Sequence, residues 1–98
     1  MLETLTIADF KPHLNQALSI RFTPEVTLPA TLTAVTAWGS ESDKFRQPFT
    51  LEFRTTQKNE YYQQGTFMIV HPALGELPVF MVPLGPDSEG MRYEVVFS

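Results

Sequence analysis

Gly65-Thr66-Phe67-Met68-Ile69-Val70-His71, then Pro72-Ala73-Leu74-Gly75, then Leu77-Pro78-Val79-Phe80-Met81-Val82-Pro83-Leu84, then Gly85-Pro86-Asp87-Ser88-Glu89-Gly90, then Met91 to Phe97: this stretch decides the fold. Pro and Gly separate runs of β-branched and aromatic residues, at the points where a turn needs a fixed or a positive φ. Three consecutive strands joined by two turns follow from that pattern. The last of them alternates cleanly, with Met91, Tyr93, Val95 and Phe97 on one face.

The same alternation recurs upstream. Phe49, Leu51 and Phe53 against Thr50, Glu52 and Arg54 form the cleanest one-sided strand. Leu18, Ile20 and Phe22 alternate with Ser19, Arg21 and Thr23 until Pro24 stops the run. A longer strand then sets Val26, Leu28, Ala30, Leu32 and Ala34 against Thr27, Pro29, Thr31 and Thr33, and the short link through Pro24 favours a hairpin. Pro29 has no amide hydrogen, so its nitrogen must face an edge or a bulge.

Ahead of these strands, Thr6-Ile7-Ala8-Asp9 matches a helix start in which hydroxyl and carboxylate each satisfy a backbone amide. Ile7, Phe10 and Leu14 share one helical face. Pro12 interrupts it, which predicts either a helix ending near Lys11 or a second short turn beginning at Pro12. Gly39 to Gln47 and Thr55 to Glu60 read as polar loops. The expectation is a single all-β domain over residues 1–98, a small antiparallel barrel or sandwich of about six strands. One short N-terminal helix plugs an end.

Composition narrows the function classes. Eleven acidic against seven basic residues give a net charge of −4, and the basic residues are scattered, so nothing steers the chain to nucleic acid or an anionic membrane. With no cysteine, disulfides and thiolate metal sites are excluded. The N-terminal residues lack a secretory pattern, and no run approaches the roughly 20 apolar residues that span a bilayer. The expectation is cytoplasmic synthesis without a Sec signal, compatible with incorporation into an exported assembly.

Candidate chemistry is sparse. His13 and His71 are far apart in the sequence and lack zinc-site spacing; both read as structural or solvent-facing, with His71 capping the turn before Pro72. Ser19, Ser40, Ser42, Ser88 and Ser98 sit in no nucleophile elbow, and Ser40 and Ser42 beside Glu41 and Asp43 read as a solvated loop. Asp87, Ser88 and Glu89 lack the spacing of an EF-hand and read as an ordinary turn. No catalytic residue, no cofactor-binding residue and no metal ligand is assigned. One feature resists this quiet reading, because apolar residues occupy both faces of two strands. Phe67 and Ile69 oppose Met68 and Val70, while Val79 and Met81 oppose Phe80 and Val82. Either a helix or loop of the chain covers the second face, or another protein does, which makes Met68, Val70, Phe80 and Val82 a candidate interaction surface.

The opening Met1 to Phe10, the stretch Gln64-Gly65-Thr66-Phe67, the turn His71-Pro72-Ala73-Leu74-Gly75 and the close Val82 to Glu94 resemble a family of short bacterial proteins, domain of unknown function 6916. The similarity spans nearly the whole chain, is strongest from Gln64 onward, and is weakest between Glu25 and Lys58. The resemblance carries over no catalytic residue. It implies association with phage-tail-collar-like proteins and hence an assembly or accessory role. The functional expectation is a non-enzymatic structural or protein-interaction module with a protein partner or self-association. The alternative is a small-ligand-binding β-barrel with Tyr61, Tyr62 or Trp38 at its mouth, and an enzyme ranks third.

Overall fold

Six alternating runs each need a dry face, and they supply one another with it by closing into a barrel. In the computed structural model, which describes residues 4–39 and 46–98, the strands are β1 (Ala17–Thr23), β2 (Val26–Ala37), β3 (Phe49–Arg54), β4 (Gly65–His71), β5 (Gly75–Pro86) and β6 (Met91–Phe97). All neighbours are antiparallel, and the closed order is β1-β2-β3-β6-β5-β4. Among the described residues strand accounts for 57% and helix for 8%, as the alternation predicts. Residues Met1–Glu3, and Ser40, Glu41, Ser42, Asp43 and Lys44 of the first polar loop, lie outside the described residues.

β2 and β5 are twice as long as β3 because each serves two neighbours in turn. β2 pairs with β1 up to Thr31 and with β3 from Thr31 onward; β5 pairs with β4 up to Met81 and with β6 from Val82 onward. Register shifts mark both changes of partner, between Leu32 and Ala34 and between Pro83 and Gly85. Such bulges let a long strand bend around the corner of a small barrel. At the first, the Thr33 hydroxyl donates to the Glu52 carboxylate at 2.8 Å, fastening the bend to β3. The strand prolines fall where a strand has one neighbour only: Pro29 faces Ser19 alone, Pro78 Met68 alone and Pro83 Tyr93 alone. A missing amide hydrogen costs nothing on an unpaired side, and it also blunts that side against further strands.

The N-terminal segment is two successive 3-10 turns rather than one helix, Ile7–Asp9 and Lys11–His13, with Pro12 second in the latter. Proline forbids a continuous ladder of amides and fits the first positions of a new turn. The Thr6 amide donates to the Asp9 carboxylate at 2.8 Å, as the sequence motif predicts. These turns carry Phe10 into the barrel end, where its ring meets Phe49, Phe97 and His71 at centroid distances of 6.0, 5.7 and 5.5 Å.

The far end is filled by Phe22, Tyr62, Phe67 and Tyr93, with Phe22 and Tyr62 stacked at 4.5 Å. The Tyr93 hydroxyl donates to Gln57 at 2.7 Å and accepts the Tyr62 amide at 3.0 Å, while burial pushes its ionisation above the ordinary phenol range. Side chains fill the middle as well, Ile20, Leu32, Leu51, Phe53, Ile69, Leu77 and Met81 being wholly buried.

Candidate interaction surface

Pleating sends every second residue outward, so the outer wall of β4, β5 and β6 includes Thr66, Met68, Val70, Glu76, Pro78, Phe80, Val82, Arg92, Glu94 and Val96. The four residues singled out by sequence all lie on this outer wall, but they divide into two groups. Met68 stands in register between Arg21 and Pro78, and Val70 between Ser19 and Glu76. The Arg21–Glu76 ion pair therefore crosses over β4 between them, and both are half-buried. Cover for this part of the second face comes from a long arginine stem. The N-terminal turns are elsewhere, plugging the barrel end.

Phe80 and Val82 are placed differently. Val82 faces Glu94 where the β5–β6 ladder begins, and before that point the two strands part. Phe80, 56% exposed, lines the resulting cleft of about 230 Å³ together with Val96, 52% exposed, and with Val79, Val95, Phe97 and Arg46. Arg46 bridges this cleft to the plug: its guanidinium donates to the Leu5 carbonyl at 2.8 Å and sits 5.4 Å from the Phe97 ring centre. Val96 was missed by the reading of β6 as a one-sided strand. The signal was there, since Val95-Val96-Phe97 puts an apolar residue where alternation calls for a polar one.

The remaining candidates resolve into structural roles. His71 Nδ1 accepts the amides of Ala73 and Leu74 at 3.0 and 3.1 Å, the cap predicted for this turn. With Nδ1 accepting, the proton sits on Nε2, which donates to the Asp9 carbonyl at 2.7 Å and so ties the plug to the β4–β5 hairpin. The fold also brings His13 edge-on to His71 at 4.9 Å, a contact their separation in the sequence concealed. Among the described residues no group of three histidines and carboxylates stands close enough to hold a metal.

Asp87 is a turn residue with a full set of partners. One oxygen accepts the Glu89 and Gly90 amides at 2.8 and 3.0 Å, and the other takes both Nε and a terminal nitrogen of Arg54 at 2.9 and 2.8 Å. The Glu89 amide foremost, helped by Arg54 and the Gly90 amide, holds its carboxyl below the ordinary carboxylate range. Ser88 offers its carbonyl to Lys58 at 3.4 Å, and Ser19 lies on the outer face of β1. Gly90 must be glycine, because a Cβ there would stand 1.7 Å from the Thr55 carbonyl oxygen.

Trp38, Tyr61 and Tyr62 do not gather at one mouth. Trp38 follows β2 beside the start of β3, its amide donating to Pro48, whereas Tyr62 lies against Tyr93, which pairs with Phe53 near the other end of β3. Tyr61, exposed, borders a separate groove of about 360 Å³ along Pro83, Leu84 and Pro86.

Residues 5–97 match the model of a domain of unknown function, DUF6916. The chain belongs to this family. No curated protein and no solved structure matches it. The DUF6916 barrel thus brings no assigned chemistry with it, and its function is argued from its own surfaces.

Proposed function

We propose that this DUF6916 domain is a non-enzymatic protein-interaction or structural module, and that its contact surface centres on Phe80, Val82 and Val96. One observation carries the reading: two large apolar side chains stand more than half exposed on either side of the cleft where β5 and β6 part. A barrel able to bury eighteen apolar side chains has no need to leave such a pair in water. An accessory place in a phage-tail-like assembly is the setting that the family resemblance suggests for this module. The ligand-barrel alternative has less support, because the space along the barrel axis is occupied by Phe53, Leu51, Ile69, Met81 and Tyr93.

The test is the double variant Phe80→Glu, Val96→Glu. Wild-type protein should self-associate in gel filtration with light scattering, or capture a partner from its native cells. The variant should lose that association while melting within a few degrees of wild type, since both side chains already face water. A monomeric wild type that captures nothing, or a variant that associates as before, ends this reading.

A further inference from the structure

The ladders of this barrel are unequal, and the shortest is the one that closes it. β1 and β4 share three register positions, Ser19–Val70, Ile20–Ile69 and Arg21–Met68, where β3 and β6 share six. Beyond Arg21, β1 continues through Phe22 and Thr23, and β4 has already begun at Gly65, Thr66 and Phe67, yet no pairing joins these residues across the seam. A groove of about 400 Å³ lies between them, lined by Arg21, Phe22, Thr23, Thr66, Phe67 and Met68 together with Pro24. Its floor is aromatic. Phe22, stacked on Tyr62, meets the half-buried Phe67 at 4.9 Å.

Apart from Val95–Phe97 of β6 at the β5–β6 cleft, the other half-strands without a ladder are protected. Pro29 blunts β2, Pro78 and Pro83 blunt β5, and the second half of β2 is met by Asn15 and Gln16, which exchange backbone bonds with Leu32 at 2.7 and 2.9 Å. Phe22–Thr23 and Gly65–Phe67 contain no proline and, among the described residues, meet no such strap. Two diverging rows of main-chain donors and acceptors are answered by one kind of occupant, an extended chain. The charge at the lip narrows it further. Arg21 is the charged residue among those lining the groove, and it holds Glu76 through one nitrogen while the rest of its fork has no other partner among the described residues. A guanidinium fork in that state complements a carboxylate.

We propose that the β1–β4 seam accepts an extended segment of a partner protein by strand addition, an apolar residue resting on Phe67 and the adjacent acidic residue pairing with Arg21. Successive side chains of a strand point to opposite faces, so the inward apolar and outward acidic residues are neighbours in that segment. The inference rests on reading the protein as an interaction module, but it uses a surface separate from Phe80 and Val96.

The experiment selects binders from a random heptapeptide library against the purified protein, then remakes the selected peptides by synthesis. Peptides alternating acidic and apolar residues should emerge, slow hydrogen exchange at the seam-facing alternate amides along Phe22–Thr23 and Gly65–Phe67, and bind at least tenfold more weakly once alternate amides are N-methylated. Arg21→Gln should weaken them several-fold while the variant still melts cooperatively within a few degrees of wild type, and Arg21→Lys, which keeps the stem and the charge, should recover part of the binding. Phe80→Glu with Val96→Glu should leave this binding intact, so failure of the seam and failure of the β5–β6 surface are read separately. No enriched peptide, peptides that map elsewhere, or N-methylated peptides of undiminished affinity would overturn the proposal.

Discussion

The two seams that join the barrel's halves, β3–β6 and β1–β4, are built to opposite specifications. β3 and β6 pair without interruption from Phe49–Phe97 to Arg54–Arg92, with Leu51, Phe53, Tyr93 and Val95 fully or almost fully buried beneath. Their outer face sets Glu52 directly opposite Glu94 and Arg54 opposite Arg92, pairs that repel. Diagonal contacts offset the repulsion: Arg92 reaches Glu52 at 3.7 Å, and Arg54 turns to Asp87 and Glu89. β1 and β4 have half the register and part over a groove. One seam holds the fold together, and the other leaves hydrogen-bonding capacity unspent. In a closed barrel the sites open to a partner are those where the ladder runs out.

The largest effect expected is at the strong seam. Truncation after Gly90 deletes β6 and with it Met91, Tyr93, Val95 and Phe97, all buried. Their burial is worth on the order of 6 to 12 kcal/mol, comparable to the whole stability of a small domain. The truncated chain should show no cooperative melt and no native near-ultraviolet signal. A soluble fragment with a sharp transition would show that β6 is dispensable and that the contrast between the seams is false.

A matched pair of substitutions sharpens the contrast. Phe53 in β3 is fully buried, so Phe53→Ala should cost about 3 to 5 kcal/mol. Phe67 in β4 is only half-buried beside the groove, and the exposed part of its ring contributes no transfer energy, so Phe67→Ala should cost roughly half as much or less. Urea titrations of the two variants measure this directly. Equal losses would mean that the seam is packed as tightly as the core and that the groove is not a weak point.

Much of this was legible in the sequence, and the parts that were not have physical causes. Most strand positions followed from period-2 alternation or apolar runs, and the two tight turns from Pro and Gly, because these signals are local; β5 nevertheless takes in Gly75, Gly85 and Pro86, which were read as turn. Barrel closure was left open against a sandwich, since pairing of β3 with β6 and of β1 with β4 joins segments distant in the chain. The same remoteness hid the His13–His71 contact and the passage of Arg21 over β4 to Glu76. Met68 and Val70 therefore looked as free as Phe80, although a cross-strand neighbour covers them. Val96 escaped for a different reason: a strand read for its buried face draws attention away from an apolar residue on the other.

The smallest effect expected is electrostatic and also belongs to the strong seam. Asp87 closes the β5–β6 turn and holds Arg54 of β3 through both guanidinium contacts, so it joins three strands at one carboxylate. The Glu89 amide, then Arg54 and the Gly90 amide, favour the ionised form and lower its pKa in the fold. A carboxyl depressed in the native state contributes stability above its unfolded pKa, roughly 4, and that contribution is lost as the pH falls through the lower, folded value. Melting temperature should therefore decline more steeply below about pH 4 in wild type than in Asp87→Asn. The asparagine keeps an oxygen for the Glu89 and Gly90 amides, so its fold and turn should persist while the titrating charge is gone. At neutral pH the variant should melt slightly below wild type, and the two curves should converge in acid. Parallel curves would show that Arg54 and Asp87 are bound by geometry alone, and that the strength of the β3–β6 seam is entirely a matter of packing.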